Sequence, residues 1–345
     1  MQIENFKINA NSPIFIIAEL SANHNGDLAT AIETIRAAKR AGADCIKLQT
    51  YSADTITIDC KKDDFLIKGT IWDGKNLYEL YQEAYTPWEW HKQLFKVAAE
   101  ERLICFSSPF DKTAVDFLET LNVPAYKIAS FEITDIPLIE YVASKGKPII
   151  LSTGIAELSD IELALEACRR MGNNDIALLK CTSSYPAPIE EANMCMVRDL
   201  SERFGVISGL SDHTMGATVP IVATCYGAKI IEKHFILDRS IGGPDASFSL
   251  NESEFTDMVK SIREAESAIG KVDFTLTQKQ LKGKDFARSL YLVEDVKAGE
   301  IVSESNVKSI RPGFGMHPRF LSDLIGKKFI SNCEKGTRMN LNLIE

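Results

Sequence analysis

The sequence predicts a (β/α)8 barrel followed by a small, mostly β domain. Three observations carry this expectation. Short apolar runs alternate with amphipathic stretches, and the pattern recurs eight times. Each run ends in polar residues able to do chemistry. From about residue 286 the pattern changes to short strand-like runs broken by Gly, Pro and Asn. Short buried strands alternating with helices make a parallel sheet. Eight such units suggest closure into a barrel, whose active site lies at the C-terminal ends of its strands.

The runs, in order, are IFIIAEL to Glu19, CIKLQTY through Lys47 and Gln49, LICFSSPF through Ser107 and Ser108, and AYKIASFE through Lys127, Ser130 and Glu132. Then follow PIILSTG through Ser152 and Thr153, IALLKCTSSY through Thr182 to Tyr185, VISGLSDH through Ser211 to His213, and KIIEKHF through Glu232 and His234. The first helix reads DLATAIETIRAAKRAG, with Gly42 as its stop. The connection from Ser52 to Thr86 is unusually long, and long loops on this face often cover substrate. It is read as part of a roof, with a plain surface elaboration as the alternative. TPWEWHKQLFKVAAEER, DKTAVDFLETLN, DIPLIEYVASKG and ELSDIELALEACRRMG supply the next helices, and Ser159 and Glu162 have capping-box spacing. EEANMCMVRDLSERFG and ATVPIVATCYGA follow, and SEFTDMVKSIREAESAIG closes the barrel near Gly270. The expected organisation is a catalytic barrel over 1–270, a polar linker over 271–285 and a second domain over 286–345. Roughly 60 residues are marginal for independent stability, so the second domain is expected to dock on something.

Composition narrows the function. The chain has 345 residues, 45% hydrophobic and 25% charged, with a net charge of -9. A globular composition with no basic tract argues against a nucleic-acid partner. A small phosphorylated ligand needs only a few local cations and stays allowed. The eight cysteines are scattered, without C-x-x-C pairs, and read as reduced thiols. No apolar segment approaches the ~18 residues of a membrane span, and the start lacks a basic region followed by an apolar one. The expected location is cytoplasmic, without a membrane partner.

The strand ends hold three sets of groups. His213 and His234 end the seventh and eighth strands, and neighbouring strands lie about 4.8 Å apart, so both imidazoles can converge on one ion. Completed by water or substrate oxygens, such a shell suits Mn2+, Co2+ or Mg2+; simple hydrogen-bonded histidines are the alternative. Lys47 and Lys127 lie on the second and fourth strands, among Ser108, Ser130, Ser152 and Ser211. Buried lysines need an anion, either a bound phosphate or the barrel's own glutamates. Glu19, Glu132 and Glu232 form the third set, any one of which could take a proton from water or a hydroxyl.

IAELSANHNG, IKLQTY, CFSSPF, YKIASFE, STG, CTSSYP, GLSDH and IEKHF occur in this order, and the series resembles the sialic acid synthase family. FARSLY, KAGE and VKSIRPGFG resemble that family's C-terminal antifreeze-like (SAF) domain. The resemblance covers nearly the whole chain. It implies condensation of phosphoenolpyruvate with an N-acetylated amino sugar to a nine-carbon 2-keto acid. Within the family, IKLQTYSADTIT, IKGTIWDGKNLYELY and GGPDASFSL resemble the pseudaminic acid branch, which implies 2,4-diacetamido-2,4,6-trideoxy-L-altrose as the sugar. Ala246 stands where sialic acid synthases tend to carry His, and Ser183 where they often carry Asn. Legionaminic acid and N-acetylneuraminic acid synthesis are the alternatives, and a non-catalytic sugar-binding protein is the alternative from another class.

Residue by residue, the resemblance assigns His213 and His234 to a divalent metal, usually Mn2+. It assigns Lys47, Ser108, Lys127, Ser130, Ser152 and Ser211 to phosphoenolpyruvate, and Glu132, with Glu19 and Glu232, to the reacting carbons. Gln49, Ser183, Tyr185 and Asp245 fall to the sugar. Arg311 matches an arginine that reaches the sugar from the SAF domain of a partner subunit, which implies a swapped homodimer.

Overall fold

Eight parallel strands close in chain order around one axis: β1 (Phe15–Glu19), β2 (Cys45–Thr50), β3 (Ile104–Pro109), β4 (Tyr126–Ile128), β5 (Ile149–Ser152), β6 (Ile176–Cys181), β7 (Ile207–Asp212) and β8 (Ile230–His234). β8 pairs back onto β1, with His234 opposite Glu19. This computed structural model describes residues 1–345.

Side chains alternate between the two faces of a strand. One face of these strands fills the barrel with Phe15, Ile17, Cys45, Ile104, Phe106, Ile150, Ala177, Leu179 and Ile230. Ile3 and Ile8, from a short hairpin pairing Gln2–Ile3 with Phe6–Lys7, join the same cluster. Two residues beyond Ile17, Cys45, Phe106, Ile150 and Ile230, on the same face, stand Glu19, Lys47, Ser108, Ser152 and Glu232. The inward face thus changes from apolar to polar within one step of the pleat, at the C-terminal end. The other face packs on helices: Ile46, Leu48 and Leu210 meet Ile35, Leu94 and Phe255, while Ile128, Leu151 and Leu178 meet Leu118, Ile139 and Leu165.

The helices start where local chemistry allows. Leu28–Arg40 begins at Asp27, whose carboxylate accepts from Thr30 N at 2.8 Å, and stops at Gly42, whose φ is +89°. Glu252–Ile269 is capped by Asn251, with Glu254 reaching back to its backbone N–H. One capping expectation is corrected. Leu158–Arg170 is capped by Glu157, whose N–H is accepted by Asp160 at 2.9 Å, and not by the Ser159–Glu162 spacing. The helix already begins at Leu158, so Ser159 lies inside its first turn. The long connection after β2 is also more ordered than a loop, for it contains the helices Ala53–Ile56 and Leu77–Ala84.

A second compact unit spans Lys271–Glu345. The segment read as a linker carries the short helix Gln278–Gly283 within this unit. Two strands, β9 (Ser289–Leu292) and β10 (Val307–Ile310), pair antiparallel. They enclose a small core of Leu290, Leu292, Val302, Val307, Leu324, Phe329 and Met339. Ser289 Oγ donates to Pro312 O at 2.6 Å and accepts from Gly315 N at 2.9 Å, which pins the turn that carries the exposed Arg311. All eight cysteines are free. No helix is long and apolar enough to cross a membrane.

Candidate active site

Lys47, from the middle of β2, meets two carboxylates in the barrel mouth. Its Nζ lies 2.8 Å from Glu19 Oε2 and 3.0 Å from Glu232 Oε1. Lys127 Nζ lies 3.7 Å from that same Glu232 oxygen. The lysines are 3% and 1% exposed, so their charges need partners. Both therefore pair with barrel glutamates, the second of the two arrangements the sequence allowed. That pairing leaves room for the first, because the hydroxyls lie alongside. Lys127 donates to Ser152 Oγ at 2.7 Å and Lys47 to Ser108 Oγ at 3.5 Å. Ser211 Oγ donates to Glu232 Oε1 at 3.1 Å, and Gln49 Nε2 to Glu19 Oε1 at 3.0 Å.

The charges follow from burial and neighbours. Burial pushes the Lys47 ammonium down to about 8, with Glu232 opposing, so it stays protonated at neutral pH. Burial also opposes ionisation of Glu232, but Lys127 and Lys47 outweigh it and hold that carboxylate well below its usual range. Glu132 sits in a 3-10 turn just beyond β4, where burial raises it to about 7 against the pull of Lys127. The Oε2 atoms of Glu132 and Glu232 are enclosed without a hydrogen-bond partner. Each can accept a hydrogen bond that the folded chain does not itself supply.

The histidines form a neighbouring cluster, with ring centroids 5.3 Å apart. His213 Nδ1–H donates to Thr182 O at 3.0 Å, which leaves Nε2 to carry a lone pair. Burial lowers His213, but contact with Cys181 and the Thr182 carbonyl outweighs it and raises it overall. His234 is driven well below its usual value by burial and by His213, so it is neutral. Its Nδ1 is buried without a hydrogen-bond partner and lies 3.7 Å from Asp245 Oδ2. No three His, Cys, Asp or Glu side chains group to enclose an ion. Two nitrogen donors with an orphaned Nδ1 fit an open divalent site, completed by water or substrate oxygens.

Asp245 accepts from Ser21 Oγ and from Ala22 N, and burial raises it. Tyr185 lies with its ring 4.4 Å from that of His213 and 5.1 Å from that of Phe248. Ser130 Oγ accepts from Gly154 N at 3.1 Å. A Cβ at Gly154 would collide with the hydroxyls of Ser183 and Ser130, so only glycine lets these two come so near the chain after β5. The barrel residues singled out from the sequence thus lie on the strands, as Lys47, Lys127 and Glu232 do, or in the connections that follow them, as Glu132, Tyr185 and Asp245 do. Arg311 belongs to the second unit.

Several residues escaped the sequence reading. Asp212 and Lys233 flank the two histidines and point to the outer face of the sheet, where Lys233 Nζ lies 2.6 Å from Asp212 Oδ2. Both are almost fully buried. Asp212 also accepts from Thr214 N at 3.0 Å, which fixes the turn carrying His213. Removing one partner of such a pair costs about 3–5 kcal/mol. Charges at outward, helix-facing positions of two adjacent strands were the available signal. Ser21, Phe248 and Trp72 lie within the motifs IAELSANHNG, GGPDASFSL and IKGTIWDGKNLYELY, but nothing in those stretches told which neighbours they meet, for these come from distant segments.

A (β/α)8 barrel with buried lysines, glutamates and two histidines in its mouth is the architecture of a barrel enzyme, and the comparisons give its family. Residues 34–274 match the NeuB family and residues 287–337 the SAF domain, and the chain belongs to the NeuB family. The pseudaminic acid synthase of Campylobacter jejuni is 50% identical over 97% of each chain. That of Helicobacter pylori is 48% identical over 96% of this chain and 98% of the relative. An N,N'-diacetyllegionaminic acid synthase of Legionella pneumophila is 35% identical over 99% of both. A crystal structure of N-acetylneuraminic acid synthetase from Leptospira borgpetersenii, in complex with citrate, superposes with a TM-score of 0.73 at 30% identity, covering 82% of this chain and 94% of that one.

Proposed function

We propose that the chain has the activity named in its half-identical relatives, pseudaminic acid synthesis. It joins phosphoenolpyruvate to 2,4-diacetamido-2,4,6-trideoxy-L-altrose, takes up water and releases phosphate. The observation that carries this reading is the Lys47, Lys127, Glu19 and Glu232 cluster in the barrel mouth, beside two histidines.

The lysines and the Ser108, Ser130, Ser152 and Ser211 hydroxyls hold the phosphate and carboxylate of phosphoenolpyruvate. Gln49, Ser183, Tyr185 and Asp245 hold the open-chain sugar. Carbon 3 of phosphoenolpyruvate attacks the aldehyde carbon, and the new C–C bond leaves positive charge at carbon 2. Glu19 and Glu132 stabilise that charge. Water adds to carbon 2 and gives one proton to Glu132, from which it passes to the alkoxide formed at the former aldehyde carbon. The tetrahedral carbon then expels phosphate with C–O cleavage, the remaining hydroxyl proton leaving with the phosphate as the ketone forms. Lys47 and Lys127 offset the charge on the departing phosphate. Enzymes of this family depend on a metal in general. An ion, here Mn2+, held by His213 and His234 would supply Lewis-acid polarisation of the aldehyde oxygen.

Phosphate release with three sugars tests the reading: the altrose-derived diacetamido sugar, its legionaminic counterpart and N-acetylmannosamine. The first should give the highest kcat/KM, and preference for either other sugar would overturn the assignment. Lys127→Ala should lower kcat/KM for phosphoenolpyruvate by about 10²–10³-fold, and unchanged constants would contradict the cradle. Glu132 acts as a base only when ionised, so kcat should rise with pH through about 7 and fall away below it. Glu132→Gln should erase that acidic limb along with most of the turnover. A limb that survives the substitution belongs to another group.

The chain is also proposed to work as a swapped homodimer in the cytoplasm, with Arg311 of each protomer serving the partner's barrel.

A further inference from the structure

We propose that Trp72 is a specificity-determining residue that gives the sugar side of the mouth an apolar wall, selecting a sugar rich in methyl groups. The inference rests on the sugar-synthase reading above and deepens it. Trp72 rides on a small hairpin within the long connection after β2. Ile67 N donates to Lys75 O at 2.9 Å, Leu66 pairs antiparallel with Asn76, and the turn closes through Asp73 N to Thr70 O at 3.1 Å. Asn76 at its base is buried and caps the helix Leu77–Ala84. The tip is therefore held by backbone bonds and a cap, which is how a loop residue is aimed.

The aim is at the site. Trp72 Nε1–H donates to Pro244 O at 2.9 Å, one residue before Asp245. Its ring lies 5.5 Å from the Tyr185 ring at a tilt of 52°, and Tyr185 lies in turn against His213 and Phe248. One half-buried indole thus ties together the connections after β2, β6 and β8. Its only polar atom is spent on Pro244, so the face it can offer is hydrocarbon. An aromatic wall there suits acetamido methyls and a deoxy carbon 6. It offers nothing to a hydroxyl, which would lose its water without a replacement.

The test is steady-state kinetics of Trp72→Ala and Trp72→Phe with the diacetamido trideoxy sugar and with N-acetylmannosamine. Trp72→Ala should raise KM for the deoxy sugar and lower its kcat/KM ~10- to 100-fold. KM for phosphoenolpyruvate should hold, and use of N-acetylmannosamine should change less than about threefold. Trp72→Phe should recover much of the loss. Wild-type protein inactive on the deoxy sugar would overturn the functional reading. Wild-type protein active, with Trp72→Ala unimpaired or impaired equally on both sugars, would overturn only the role of Trp72.

Discussion

Replacing His213 with alanine is expected to lower turnover about 10³-fold while leaving the fold intact, since Lewis-acid stabilisation is worth several kcal/mol and each 1.36 kcal/mol is a factor of ten. The fold should survive because the turn is anchored by its neighbours. Asp212 is held by Lys233 and by Thr214 N, bonds in which the imidazole takes no part. The loss should appear with stoichiometric metal gone from the purified protein. Metal uptake by the intact protein should weaken as pH falls, because His213 is raised and a proton on Nε2 competes with the ion. Circular dichroism, metal content and phosphate release after chelation and re-addition together decide. Full activity of the chelated variant would remove the metal role of the pair.

Arg311→Ala is expected to cost about 10–100-fold in kcat/KM for the sugar, the worth of one charge-assisted hydrogen bond, with phosphoenolpyruvate less affected. Its sharper consequence is complementation. If the arginine serves the partner's barrel, co-refolding Arg311→Ala with His213→Ala should build dimers with one intact site, and roughly a quarter of wild-type activity should return. The turn that carries Arg311 is pinned by Ser289 to Pro312 and Gly315, so alanine there should not disturb the second unit. Mixing that restores nothing, with both variants folded and dimeric, would dismiss the swapped arrangement.

Much of the barrel was legible in the chain because period two and period 3.6 differ so plainly. Glu19, Lys47 and Glu232 each follow an inward apolar residue by two, and that spacing marks the polar end of the interior. The resemblance of ordered motifs added a reaction, which periodicity alone did not contain. Alternation could also have marked Asp212 and Lys233 as facing away from His213 and Glu232, but that was not read, and their pairing is invisible without strand register. The start of the helix at Leu158 went unread because Ser159 with Glu162 and Glu157 with Asp160 have the same spacing, and the folded chain uses the second pair.

The sequence by itself determined the barrel, its reactive face and the residue types gathered there, because strand pleat and helix period are local properties. Tertiary structure alone decided that Glu232 is shared by two lysines, that His234 Nδ1 is left without a partner, and that Trp72 reaches Pro244. Those are distances between segments far apart in the chain. Closure of the sheet sets them, and closure brings together side chains whose separation in sequence carries no period.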